Sequence, residues 1–237
     1  SSSLISLPLV TVAGTNGKGS VVAMLESLAT AAGLTVGSYT SPHLFQYNER
    51  IKLNRQPVED SVLCDIFDSI DIARGELPLT YFEFGTLAAI ELFFQQPPDF
   101  VILEVGLGGR LDAVNIMDAD VSVLTSVAID HIDWLGDDRE SIGFEKAGIF
   151  RARRPAVCAD PAAPDSLRTV AAGLGARWYG LGEQFHHAIG AGHWHWSGPH
   201  SRHAALPLPA LHGRHQLDNA AGVIMALDCL RDRLPVR

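Results

Sequence analysis

An apolar run from Leu7 to Ala13 opens into Gly14-Thr15-Asn16-Gly17-Lys18-Gly19-Ser20. It passes at once into a helical stripe of Val21, Val22, Leu25, Leu28 and Ala29. A buried strand, a glycine loop and an amphipathic helix in that order leave the chain few folds. Gly14, Gly17 and Gly19 open backbone conformations closed to residues with a Cβ, so successive amide N–H groups can converge on a polyphosphate. Lys18 adds a cation, and the phosphates would sit at a helix N-terminus, where the dipole favours anions. Residues 14–20 are therefore expected to hold ATP. The spacing is shorter than G-x-x-x-x-G-K-[ST], since Gly14 stands three positions before Gly17 and Gly19 separates Lys18 from Ser20.

The rest of the chain alternates in the manner of a parallel sheet. Strands are expected over 34–39, 100–105, 121–126 and 155–159, and helices over 60–73, 82–95, 140–150 and 164–173. Runs such as Phe100-Val101-Ile102-Leu103 are apolar throughout, as suits strands covered on both faces. The expected fold is α/β, a P-loop NTPase-like, mainly parallel sheet flanked by helices. After Gly175 the pattern changes to Trp and His among glycines, read as a small antiparallel section over 176–212, with a last helix over 216–230. The eight histidines from His186 to His215 are spaced irregularly, which favours a variable surface over a transition-metal site.

Composition narrows the function classes. At 237 residues the chain can bury a sizeable core. Its formal net charge of −9 disfavours nucleic acid as a partner, and no basic patch stands out beyond Arg151, Arg153 and Arg154. Cys64, Cys158 and Cys229 have neither metal-ligand nor redox spacing and are read as core thiols in a reducing, cytoplasmic compartment. No apolar run reaches the roughly 18 residues of a membrane span, and Ser1-Ser2-Ser3 is read as a cut end rather than a leader.

Seven segments in order carry a family resemblance: the glycine loop, Tyr39-Thr40-Ser41-Pro42-His43-Leu44, Asn48-Glu49-Arg50-Ile51, Thr80-Tyr81-Phe82-Glu83-Phe84, the stretch from Leu103 to Ala113, Asp130-His131, and Glu145-Lys146-Ala147-Gly148-Ile149. Together they closely resemble the bacterial dihydrofolate synthase/folylpolyglutamate synthases of the Mur ligase superfamily, over nearly the whole chain. The resemblance implies an ATP-dependent ligase that adds L-glutamate to dihydropteroate and to the γ-carboxylate of folates through an acyl phosphate. It implies Mg²⁺ held by Ser41, Glu104 and His131, and a carbamoylated Lys146 supporting a second metal. Residues alone support only part of this. Glu104 ends a strand that should lie beside the loop strand, where a carboxylate can hold the cation of a metal-nucleotide. Glu145-Lys146 taken in isolation is a solvated pair on an amphipathic helix.

For the substrate, the resemblance assigns Thr80, Tyr81, Phe82, Glu83, Leu111, Asp112 and Ala113 to the pteridine end of dihydropteroate. Phe82 would stack on the ring, and Asp112 would bond its amino-pyrimidine face. Thr80 is also a candidate helix cap. Residues 41–50 resemble the family's mobile loop near the active site. Asn219, in Gly213-Arg214-His215-Gln216-Leu217-Asp218-Asn219, matches a position that contacts ATP in similar proteins.

The family architecture implies a Rossmann-like C-terminal glutamate ligase domain, absent here, and an N-terminal helical segment. Residues 1–237 are accordingly read as the Mur ligase-type central ATP-binding domain, a monomer incompetent for full turnover alone. A GTPase would share Asp133-Trp134-Leu135-Gly136 as D-x-x-G, but no N-K-x-D motif accompanies it. A P-loop small-molecule kinase and a non-catalytic nucleotide-binding fragment are the remaining alternatives. Lys18→Ala is expected to abolish Mg-ATP binding in equilibrium titration while leaving the circular dichroism spectrum unchanged; undiminished affinity would refute the phosphate-loop reading.

Overall fold

The computed structural model describes residues 7–130, 136–211 and 213–234. The opening motif forms β1 (Leu9–Ala13) and α1 (Lys18–Ala31), so the helix begins at the loop lysine, three residues earlier than its apolar stripe. Next come β2 (Val36–Tyr39), β3 (Ile51–Leu53), β4 (Gln56–Pro57), α2 (Asp60–Arg74), α3 (Tyr81–Gln95), β5 (Phe100–Glu104) and β6 (Val121–Leu124). The chain continues through α4 (Arg139–Ala147), β7 (Pro155–Cys158), α5 (Asp165–Leu174), β8 (Arg177–Gly180), β9 (His186–Ile189), β10 (His193–Ser197), β11 (Arg202–Pro207) and α6 (Arg214–Leu230).

Eight strands form one sheet in the order β4-β3-β2-β5-β1-β6-β7-β8. From β2 to β8 every neighbour pair is parallel, and the pairs β2–β3 and β3–β4 are antiparallel, β3 and β4 forming a hairpin on one edge. That hairpin escaped the sequence reading because three- and two-residue strands carry too few positions to show a period. The antiparallel section also begins later than 176. Arg177–Gly180 pairs in parallel with β7 as the last strand of the large sheet, while β9, β10 and β11 form a separate antiparallel sheet. Gly175 caps α5 and returns the chain beside β7, so β8 completes one more strand-helix-strand unit before the pattern changes.

Alternate strand residues build two cores. Val10, Val12, Phe100, Ile102, Val121, Val123 and Val157 face α1, α6 and the small sheet. Leu9, Ala13, Val101, Leu103, Leu124, Ala156 and Cys158 face α2, α3, α4 and α5. The expectation of core thiols holds for Cys158, which is buried, and less for the half-buried Cys229; Cys64 is exposed, on the outer side of α2. Among the described residues, no helix is long and apolar enough to cross a membrane.

The small sheet is anchored through its tryptophans. Trp194 and Trp196 point inward, Trp196 packs on Phe185, and its Nε1 donates to the Ala221 carbonyl of α6 at 3.1 Å. Trp196→Ala is expected to cost about 3–5 kcal/mol, read as a fall in the urea midpoint. A change under about 1 kcal/mol would mean that the small sheet is not integral to this core.

Candidate active site

The loop between β1 and α1 lies at the carboxyl edge of the sheet, where open parallel sheets collect ligands. Gly14 has φ +150° and Gly17 φ +89°. A Cβ on Gly14 would fall 1.8 Å from Thr125 Oγ1, and one on Gly17 would fall 2.8 Å from the Asn219 amide. The two glycines thus admit the end of β6 from one side and the first turns of α6 from the other. Thr125 Oγ1 donates to the Asn16 carbonyl at 2.6 Å, and the Asn16 N–H donates to Ser126 Oγ at 3.2 Å. Thr15 N–H donates to the Ser126 carbonyl, and Thr15 Oγ1 exchanges bonds with the backbone of Ala128. Gln216 bridges α6 to the loop's far end, its Nε2 donating to Ser20 Oγ at 3.3 Å, and accepts from Asn219 Nδ2 at 3.2 Å. Thr125, Ser126 and Gln216 were missed in the sequence. Their only signal there is hydroxyls directly after an apolar strand and a Gln-x-x-Asn spacing.

Lys18 curls back on the loop it follows, its Nζ donating to the Gly14 carbonyl at 3.0 Å and toward that of Thr15 at 3.4 Å. Glu104, at the end of β5, is buried next to it. Burial raises the Glu104 carboxyl from its ordinary 4.5 to about 7, opposed by the charge of Lys18, the Ser41 N–H and the charge of Lys52. Ser41 lies within reach, its N–H 3.4 Å from Glu104 Oε2. This is a carboxylate short of positive charge, and oxygen donors of this kind suit a hard divalent cation such as Mg²⁺. His131, the third expected ligand, lies outside the described residues. Among those described, no group of three His, Cys, Asp or Glu forms a ready-made metal cluster.

Lys146 is not the solvated residue its sequence neighbourhood suggests. Glu145 takes the outward role, bonded to the Arg110 guanidinium at 2.9 Å, while Lys146 is only 4% exposed. Desolvation first, then the charge of Lys18, lower its ammonium from 10.5 to about 8, with Asp130 opposing. Gly109 lets the loop after β5 approach this helix end, since a Cβ there would meet the Lys146 carbonyl at 2.9 Å.

On the substrate side, Thr80 caps α3 in a reciprocal box, its N–H donating to Glu83 Oε2 at 2.7 Å and its Oγ1 accepting from Glu83 N–H at 3.2 Å. Phe82 lies against Gly106, its ring 5.7 Å from that of Tyr39, and Tyr81 faces outward over the Arg50 guanidinium at 5.3 Å. Asp112 accepts from the N–H groups of Gly106, Leu107 and Val114 at 2.9–3.0 Å. Burial raises its carboxyl and those three bonds oppose the rise. Leu111 is 81% exposed beside it, and Ala113 begins the short turn that Asp112 caps. Residues 41–50 are tied into a loop by Glu49, whose carboxylate accepts from the N–H groups of Leu44, Phe45 and Gln46.

Fold and site together define a nucleotide-binding α/β domain of the phosphate-loop kind. No family model matches the chain. The dihydrofolate synthase/folylpolyglutamate synthase of Escherichia coli (strain K12) is 50% identical over 217 residues, 92% of this chain and 50% of that protein. The Haemophilus influenzae protein of the same description is 44% identical over 222 residues, 94% of this chain and 50% of its own. Among solved structures, E. coli FolC in complex with DHPP and ADP matches with TM-score 0.90 at 45% identity, over 97% of this chain and 57% of its own. The bifunctional folylpolyglutamate synthase/dihydrofolate synthase of Yersinia pestis, complexed with AMPPNP and Mn ion, matches with TM-score 0.89 at 45% identity, over 98% and 58%. The chain belongs to this bacterial dihydrofolate synthase/folylpolyglutamate synthase family and spans about half the length of the curated relatives it matches.

The raised Glu104 carboxyl has a sign that can be checked. Between 4.5 and about 7 the folded chain binds a proton that the unfolded chain does not, so folding stability falls as pH rises through that window. Glu104→Gln removes the titrating group, so without nucleotide and metal the variant is expected to melt higher than wild type at pH 8, by an amount on the order of 2–3 kcal/mol. Equal melting temperatures at pH 8 would contradict this.

Proposed function

We propose that this chain is the ATP- and pteroate-binding part of an ATP-dependent ligase, the Mur ligase-type central domain, acting in the cytoplasm as a monomer. The full protein adds L-glutamate to dihydropteroate and to the γ-carboxylate of folates. ATP phosphorylates the acceptor carboxylate, and the amine of L-glutamate attacks the acyl phosphate, releasing ADP and phosphate. A Rossmann-like C-terminal domain in the full protein would complete the glutamate site. The observation that carries this reading is the convergence of the Lys18 loop and buried Glu104 at one sheet edge, in a chain 50% identical over 217 residues to one of these synthases.

In this reading the loop of residues 14–20 receives the phosphates through N–H groups other than those of Thr15 and Asn16, which Ser126 already engages, with Asn219 close by toward the nucleotide. Lys18 exchanges its loop carbonyls for phosphate oxygens and offsets the charge building on the transferred group. Glu104, with Ser41 and His131, would hold Mg²⁺, which would supply charge neutralisation of the phosphates. Lys146 takes up CO₂. Its neutral amine forms an N–C bond to the carbon and releases a proton, leaving an anionic carbamate that supports a second cation. An ammonium lowered to about 8 favours the neutral amine this step requires. Phe82 would stack on the pteridine, Asp112 would bond its amino-pyrimidine face, and Thr80, Tyr81, Glu83, Leu111 and Ala113 are assigned with them to the pteridine end.

The test uses the full-length protein and glutamate incorporation into dihydropteroate and tetrahydrofolate. Glu104→Ala is expected to lose nearly all activity. Lys146→Ala is expected to be inactive and partly restored by a short carboxylic acid, whereas Lys146→Arg stays inactive because guanidinium remains cationic. An active arginine variant would remove the carbamate from the mechanism, and absence of glutamate incorporation by the wild type would overturn the ligase reading.

A further inference from the structure

The small antiparallel sheet carries a histidine pair that the nucleotide site does not use. On β10, His193 and His195 lie on the face opposite the buried Trp194 and Trp196, and their Nε2 atoms stand 3.1 Å apart with the rings at 89°. We propose that this pair is a binding site for a divalent transition ion of borderline softness, Ni²⁺, Cu²⁺ or Zn²⁺.

Three observations support the site. First, the separation fits. Two imidazole nitrogens each about 2.0–2.1 Å from one ion and 3.1 Å apart subtend roughly 100° at the metal, between square and tetrahedral values. Second, His193 is already oriented. Its Nδ1–H donates to the Ala191 carbonyl at 2.9 Å, which fixes the tautomer and leaves Nε2 as the unprotonated nitrogen, as the outer bond of a metal-ligating imidazole does. Third, the space beside that nitrogen is kept open by a glycine, since a Cβ on Gly190 would sit 2.6 Å from His193 Nε2.

The second ring shows what the ion replaces. A bulge between β10 and β11 points the Ala205 N–H at His195 Nδ1 at 3.3 Å. His195 Nδ1 is therefore the acceptor and its Nε2–H donates to His193 Nε2, so in the metal-free sheet a proton occupies the ion's place. When the ion binds, that proton moves to Nδ1, with no net release from the neutral ring. Ala205 N–H then turns to water, a small cost because His195 is exposed. No third His, Cys, Asp or Glu joins the pair among the described residues, so the remaining coordination positions belong to water. Imidazole donors also separate this site from the Mg²⁺ chemistry at Glu104, which calls for oxygen.

The probe is NiCl₂ or CuCl₂ titrated into the 237-residue chain in excess Mg²⁺, followed by calorimetry and tryptophan fluorescence, with electron paramagnetic resonance for Cu²⁺. One ion per chain is expected, with quenching, and a Cu²⁺ spectrum showing two nitrogen ligands. His193→Ala and His195→Ala are each expected to weaken binding at least tenfold, Gly190→Ala to weaken it while both ligands remain, and His186→Gln to leave it unchanged. Circular dichroism confirms the fold of each variant. Unweakened binding in both histidine variants, or no saturable binding by wild type below millimolar metal, would overturn the proposal.

Discussion

The site depends on the absence of two side-chain carbons. Without a Cβ at Gly14 and Gly17, the turn after β1 can be pressed between Thr125 at the end of β6 and Asn219 on α6, pieces more than 100 and 200 residues away. That close approach is what makes a short loop rigid. Backbone groups of Thr15 and Asn16 are held by Thr125 and Ser126, and the Thr15 hydroxyl by Ala128, before any ligand arrives, so little ordering cost remains for binding. It also dictates the layer order, because α1 and α6 must lie on the same face of the sheet to reach the loop from its two ends, and the small sheet then covers what they leave exposed.

A second constraint is electrostatic. Glu104 and Lys146 are each taken out of water, and burial shifts both toward their neutral forms. Such an arrangement weakens the unliganded fold, and a structural residue at either position would be apolar. The charge of Lys18 acts on both, stabilising the ionised form of one and destabilising that of the other. A cation placed beside Glu104 would reverse that cost, so the instability at this carboxylate and the proposed binding of a metal-nucleotide would have one origin.

Much of this was legible in the sequence, for identifiable reasons. Strands such as Phe100–Glu104 are apolar up to their last residue and bounded by breakers, so their existence and parallel pairing could be read directly. The glycine loop was visible as three glycines around a lysine, of which Gly14 and Gly17 take positive φ while Gly19 lies within α1. What stayed hidden was set by tertiary contact. Burial of Lys146 depends on Glu145 turning outward to Arg110, a residue 35 positions away, and nothing in a local helical pattern distinguishes that from a solvated pair. The β3–β4 hairpin is too short to have a period, and β8 resembles the tryptophan-rich stretch that follows it more than the parallel strands it joins. Ser41 and Glu104 do come together, but only as a contact of 3.4 Å across the ends of β2 and β5, which no sequence spacing reports.

The pteridine assignment meets a similar accounting limit at Asp112. A carboxylate has about four acceptor positions. Oδ2 already receives the N–H groups of Gly106 and Leu107, and Oδ1 that of Val114, so the side chain first serves to fold the turn after β5. One acceptor position on Oδ1 remains for a ligand amine. Under the proposed pteridine assignment, Asp112 would therefore fix the orientation of a pyrimidine through one bond, and the greater part of the ring's binding energy would come from aromatic area, with Phe82, packed on Gly106 and tilted 35° to Tyr39, as the surface that offers it. Thr80 and Glu83 reinforce this division, because their side chains are committed to each other's backbone in the cap of α3 and so set where Phe82 stands.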